Sequence, residues 1–246
     1  MHQALIASRL ITPPAIWGKL PAYADFVRSG MRPGESEGWQ PWLAQQGDRS
    51  GASDAAVLPA AFVLAPGTLA FAPRRFVVGV IAPSCDKVGR RHALLVYQSA
   101  HPRWVERHFE HDAAWPGDWL FWLARGVERH TGATRVADMA ALERTVQALW
   151  RLHAPNWRDV WRPRPQAPAH IMQRHTRANQ VLAQLAGPVH PADPALRLNG
   201  VRFLPWADWP QRLFKPRPDS AFWQQDASGG FVNAASRLSG LWGRPT

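Results

Sequence analysis

Phe76-Val77-Val78-Gly79-Val80-Ile81-Ala82-Pro83-Ser84-Cys85-Asp86-Lys87-Val88-Gly89-Arg90-Arg91-His92-Ala93-Leu94-Leu95-Val96-Tyr97-Gln98 holds two apolar runs around a polar loop, and its reading decides the fold. β-Branched and apolar residues dominate both runs, which marks them as strands joined by a turn. Val77 to Ile81 does not alternate between apolar and polar side chains, the pattern of a strand covered on both faces. Helices must supply that cover. Just upstream, Phe62 and Leu64 alternate with smaller neighbours before Pro66-Gly67, and Thr68 to Phe71 reads as a second short extended piece. Residues 60 to 98 therefore read as an antiparallel meander.

Working outward, residues 15 to 28 read as a short strand and turn, broken by Pro21 and resumed at Phe26-Val27. Ser36 is placed to cap a helix carrying Trp39, Trp42 and Leu43 at i, i+3 and i+4, with Pro41 confining its start to that neighbourhood. On the C-terminal side, Asp118 begins a helical stripe of Trp119, Trp122, Leu123, Gly126 and Val127 that ends near Thr131-Gly132. Asp138 caps a second stripe, Leu142, Val146, Leu149 and Trp150, which Pro155 stops. Pro155, Pro163, Pro165 and Pro168 make residues 155 to 169 a linker or wrapping segment. Beyond it come a short helix over 179–186 ended by Gly187-Pro188, a hairpin signal at Asn199-Gly200, and a second hairpin around Ser228-Gly229-Gly230. The expected fold is α+β: a largely antiparallel sheet, mainly from residues 60 to 98, flanked by helices from 115 to 153. The expected division is an N-terminal part, 1–154, and a smaller C-terminal part, 155–246, packed on it.

Composition narrows the function. With 246 residues, 46% hydrophobic and 19% charged, the chain can build a core. No apolar run approaches the roughly 18 residues of a membrane helix. The apolar start, Ala4 to Ala7, is interrupted by Arg9 and followed by Pro13-Pro14, too short for a secretory signal. A single cysteine, Cys85, permits no internal disulfide, and a cytoplasmic location is expected. The formal charge of +11 raises the question of nucleic acid. Its densest stretch, 150–177, carries Arg151, Arg158, Arg162, Arg164, Arg174 and Arg177 with Trp157 and Trp161 interleaved. That segment reads either as a single-strand binding surface or as solvated arginines at the ends of buried tryptophans. The chain has 14 tryptophans, more than one core readily hides, which points to a binding surface.

Signals for catalysis are sparse. His108 and His111, three apart with Asp112 beside them, form a weak metal pair with no HExxH or paired-cysteine motif to support it. Cys85 lies in a loop with His92 seven residues on, but His92 opens the next strand and Ser84 lacks a nucleophile elbow. The glycines form neither a Walker loop nor a dinucleotide fingerprint. The chain is expected to act without catalysis, metal or cofactor.

Three stretches together carry a resemblance. Trp17-Gly18-Lys19-Leu20-Pro21 followed by Asp25-Phe26-Val27-Arg28, then Phe62-Val63-Leu64-Ala65-Pro66-Gly67, then Val78 to Ser84 with Asp86-Lys87-Val88-Gly89-Arg90, resemble in order the signatures of the TagF/ImpM proteins of bacterial type VI secretion systems. The resemblance covers residues 17 to 98. It implies a cytoplasmic post-translational repressor of type VI secretion associated with a forkhead-associated scaffold protein, and no catalytic group. The residues add a physical reading. Asp86 and Gly89 are turn formers, and Lys87, Arg90 and Arg91 crown the loop between two central strands. Lys19 and Arg28 flank the first signature, whose turn Asp25 is placed to fix by bonding backbone amides. If both turns lie at one end of the sheet, these seven residues build a largely basic surface suited to an acidic or phosphorylated partner. Otherwise they merely shape loops, with their charges solvated.

Overall fold

A computed structural model of the chain describes residues 9–46, 58–110, 118–131, 138–155, 168–187, 211–225 and 231–242. Seven strands form one antiparallel sheet: β1 (Ala15–Gly18), β2 (Val27–Ser29), β3 (Ala60–Leu64), β4 (Phe76–Ala82), β5 (Leu94–Ala100), β6 (Ala221–Gln225) and β7 (Phe231–Ala235), in the order β2-β1-β5-β4-β3-β6-β7. The central trio is the meander read from residues 60 to 98. The seven-residue pairing of β4 with β5 runs from Phe76↔Ala100 to Ala82↔Leu94. Because successive side chains point to opposite faces, each central strand feeds two cores. Phe76, Val78, Val80 and Ala82 of β4 face one core, with Ala61 and Val63 of β3 and Leu94 and Val96 of β5. Val77 and Ile81 face the other, with Phe62, Leu64, Leu95 and Tyr97.

Four helices cover the first face: α2 (Pro102–Glu110), α3 (Asp118–Thr131), α4 (Met139–His153) and α5 (Pro168–Ala186). Trp104, Trp119, Leu123, Val127, Leu142, Val146 and Leu149 carry their buried stripes. Asp138 caps α4 as expected, its carboxylate accepting from the amides of Ala140 and Ala141 at 3.1 and 3.2 Å. The opposite face is covered by α1 (Glu35–Gln45), through Trp39 and Trp42, and by the turns around Leu69 and Ala72. Short helices α6 (Gln211–Phe214) and α7 (Ser239–Trp242) complete the described elements.

Several local expectations change. The helix of Trp39 begins at Glu35 after Gly34, which turns the chain at φ 82°; Ser36 lies inside it, and so does Pro41. Burying two indoles outweighs one lost helical hydrogen bond. Thr68 to Phe71 is a run of turns closed by Thr68 N–H to Ala65 O and Gly67 N–H to Ala72 O. The helix expected over 179–186 starts at Pro168. Helix α2 had no counterpart in the sequence reading. The tail hairpin is present as β6 and β7, and β6 joins the sheet by pairing with β3, Phe62 opposite Phe222. The Asn199-Gly200 signal lies outside the described residues. Among the described tryptophans, Trp17, Trp39, Trp42, Trp104, Trp119, Trp122, Trp150 and Trp223 are core rather than surface, and Trp242 is half-buried. A sheet covered on both faces has two cores to hold them.

Candidate functional site: a clasp of two loops at one end of the sheet

The loop leaving β1 and the loop joining β4 to β5 meet at the same end of the sheet. Gly18 ends β1 at φ 142°, and a Cβ there would run into the Ala93 carbonyl oxygen and lie 2.7 Å from Leu94 Cα. Only glycine admits so close a passage of β1 over the entry to β5. The chain then delivers Lys19 to Asp86. Lys19 Nζ donates to Asp86 Oδ2 at 2.9 Å, and Arg90 Nε donates to the same oxygen at 2.6 Å. The other oxygen, Oδ1, accepts from the amides of Val88 at 3.1 Å and Arg90 at 2.8 Å. Four donors thus converge on one carboxylate whose side chain has no solvent exposure.

Burial by itself would raise the Asp86 pKa. The hydrogen bonds from Lys19, from the amide and guanidinium of Arg90 and from the Val88 amide outweigh that and hold it well below the usual carboxylate range. Asp86 is therefore ionised at neutral pH. Gly89, at φ 82°, closes the turn with its amide on Asp86 O at 2.9 Å. Backbone contacts lock the two loops as well: Lys87 N–H to Tyr23 O at 2.8 Å, Arg90 Nη2 to Ala24 O at 2.7 Å, and Ser84 Oγ to Lys19 O at 2.7 Å. Tyr23 Oη in turn donates to Asp138 Oδ1 at 3.2 Å, tying the clasp to the start of α4.

The seven residues singled out in the sequence divide accordingly. Lys19 and Asp86 are buried and face each other, and Arg90, its side chain 63% exposed, forms the outer jaw. Asp25 accepts from the Phe26 amide at 2.7 Å and so fixes the turn. Arg28 lies opposite Trp17 in the β1–β2 register, on the same face of the sheet. Arg28, Lys87 and Arg91 are exposed, and none has an ion-pair partner among the described residues. Sequence reasoning missed Phe26, Val88 and His92 as members of this surface. Phe26 stacks on Trp17, centroids 5.4 Å apart and rings 12° from parallel, and His92 meets Phe26 edge-on at 4.6 Å. Lys19 Nζ lies 5.4 Å from the Phe26 centroid. The available signal was the strand register: Val27 is buried, so its neighbour Phe26 had to leave the core.

The weaker chemical candidates fare differently. Cys85 is partly exposed and its backbone bridges Arg91, while the His92 ring packs on Trp17 and Phe26 with Nδ1 2.7 Å from the Ala93 carbonyl oxygen. His111 and the His108 side chain lie outside the described residues. No group of three His, Cys, Asp or Glu side chains suited to a metal occurs among the described residues. Of the basic segment 150–177, Trp150 is buried against Trp119, Arg151 and Arg177 are exposed, and residues 156–167 lie outside the described residues. No helix among the described residues is long and apolar enough to cross a membrane.

Comparison with known proteins bears on this geometry. Residues 15–149 match the family described as TagF N-terminal domain, Type VI secretion system-associated. That span contains both loops of the clasp. No curated protein matches the chain. Among solved structures, the chain is similar to PA0076 from Pseudomonas aeruginosa PAO1, at 22% identity over 95% of this chain and 96% of that one, with a TM-score of 0.41.

Proposed function

Because the chain belongs to the TagF family of type VI secretion-associated proteins, we propose that it is a non-enzymatic repressor of a type VI secretion system. It acts after translation, by occupying a cytoplasmic scaffold or apparatus component, and a forkhead-associated scaffold protein is the partner the family resemblance suggests. One observation carries this reading: two family-signature loops are frozen together around buried Asp86, and the frozen end displays Lys87, Arg91 and Arg28 with no described ion-pair partner. A rigid display of uncompensated charge binds a partner at low entropic cost, because little has to be ordered on contact. Catalysis would instead call for groups converging on a reacting atom.

Deletion and complementation test the reading. Removing the gene should raise secretion through the apparatus, and the wild-type chain should restore repression. The double charge reversal K87E/R91E should leave the fold intact and fail to restore it. Unchanged secretion in the deletion strain, or full repression by K87E/R91E, would refute the proposal.

A further inference from the structure

The clasped end of the sheet is apolar as well as basic. Phe26 is 39% exposed and Val88 69% exposed, two of the five large hydrophobics that the described residues leave in solvent. Neither is free to turn inward. Phe26 has one ring face on Trp17, a near-perpendicular contact with the His92 ring, and its amide held by Asp25. Val88 sits at the tip of a turn whose every residue from Asp86 to Arg90 is tied by the clasp or by Gly89. The sequence thus spends structure on keeping an aromatic ring and an aliphatic side chain outside.

The surrounding charge says what kind of partner suits them. Lys87 and Arg90 stand on either side of Val88 in its turn, Arg91 precedes the His92 that packs on Phe26, and Arg28 lies two residues along the chain from Phe26. Of the two acids in these loops, Asp86 is buried between its cations and Asp25 is committed to the Phe26 amide. The acids nearest on α4 are also engaged: Asp138 caps its helix and accepts from Tyr23, and Glu143 accepts from Ser29 Oγ at 2.6 Å. Lys19, Arg28, Lys87, Arg90 and Arg91 outnumber Asp25 and Asp86 in these loops, so the surface carries net positive charge beside its apolar residues, the arrangement of an interface with a charged rim.

We propose that this end receives an acidic segment of a partner protein that carries an aromatic or aliphatic anchor. The anchor packs on Phe26 and Val88, and its flanking carboxylates reach Lys87, Arg91 and Arg28. This rests on reading the clasped loops as the binding surface, and it specifies the partner's chemistry.

The test uses the full chain and fluorescein-labelled nine-residue probes followed by anisotropy. One probe has Asp and Glu around a central Phe, a second replaces the Phe by Ser, and a third replaces the acids by Asn and Gln. The acidic probe with Phe should bind about tenfold or more tighter than either of the others. Val88→Ser, at an exposed tip, and Phe26→Ser should each erase the advantage of the central Phe while keeping that of the acids. K87E/R91E should do the reverse, and the wild-type preference for acids should shrink as salt rises. Equal binding of the probes with and without Phe would overturn the inference. So would a single-stranded oligonucleotide binding as tightly as the acidic Phe probe, since that would mark a general polyanion surface. If the probes fail to discriminate while K87E/R91E still fails to repress secretion, the inference on partner chemistry falls and the binding function stands. If they discriminate while K87E/R91E represses normally, the chemistry stands and the repressor reading falls.

Discussion

Replacing Lys19 by methionine separates the charge of the clasp from its packing. The two side chains are similar in length and volume, so Lys19→Met keeps the buried stem and deletes the ammonium that lies 2.9 Å from Asp86 Oδ2. What remains is a carboxylate with no solvent exposure that keeps Arg90 and two backbone amides. Removing one partner of a buried ion pair costs about 3 to 5 kcal/mol when the other charge is left alone. Here three of four donors survive, so the loss falls to that of one charge-assisted hydrogen bond, about 2 kcal/mol. For a chain of this size that is a fall in Tm of about 4 to 8 °C. Arg90→Met is the internal control, because its side chain is 63% exposed and such a pair contributes about 1 kcal/mol or less. Urea titration followed by circular dichroism reads both variants at neutral pH. Lys19→Met should lower the midpoint clearly more than Arg90→Met. A neutral or stabilising Lys19→Met, or the reverse ranking, would refute the view that the buried Lys19–Asp86 contact joins the loops.

Three further outcomes follow from the same geometry. Because the Asp86 pKa is depressed in the fold, its stabilisation is complete above the unfolded carboxylate value of ~3.9 and is lost only as pH falls through the lower folded value. The wild type should therefore show this loss only below about pH 4, and Asp86→Asn should remove that part of the acid limb of a stability–pH profile. Tyr97 is buried, with Glu35 beside it accepting its hydroxyl hydrogen bond at 2.8 Å, and burial first and that carboxylate second push its pKa far up. Since Tyr23 and Tyr97 are the two tyrosines of the chain, absorbance at 295 nm in native protein at high pH should gain at most one tyrosinate. The second should appear only on unfolding, with stability falling as pH rises above the unfolded value of ~10. Finally, Gly18→Ala puts a Cβ against Ala93 O and Leu94 Cα and should cost about 2 to 3 kcal/mol, read as a lower urea midpoint, whereas Gly34→Ala meets no atom within 4 Å and should cost only the left-handed backbone strain at φ 82°, about 1 kcal/mol.

How much of this was legible in the sequence depends on the range of the interaction. The central strands were readable because a run such as Val77 to Ile81 has one physical solution, a strand with cover on both faces. The starts of α3 and α4 were readable because Asp118 and Asp138 precede clear apolar stripes. The start of α1 was not, because its cap is a backbone turn at Gly34 rather than a capping side chain. The first half of α5 was not, because Pro168 closes a Pro-rich stretch that reads as a linker. Non-local pairing was illegible altogether: nothing near Phe222 announces that it lies beside Phe62. At the site, the sequence marked Lys19 and Asp86 as charged loop residues. That they face each other 67 positions apart, leaving Lys87, Arg91, Phe26 and Val88 outward, needed the register of β1 on β5.

Site-specific photo-crosslinking in cells that assemble the secretion apparatus tests the central claim most directly. A crosslinking residue placed at Val88 is compared with one at Met172, which is also exposed but lies on α5, outside the two loops of the clasp. Val88 should capture a single component of the type VI apparatus, and Met172 should capture none. Capture from Met172 with nothing from Val88 would contradict the claim that the clasped loops are where this protein meets its partner.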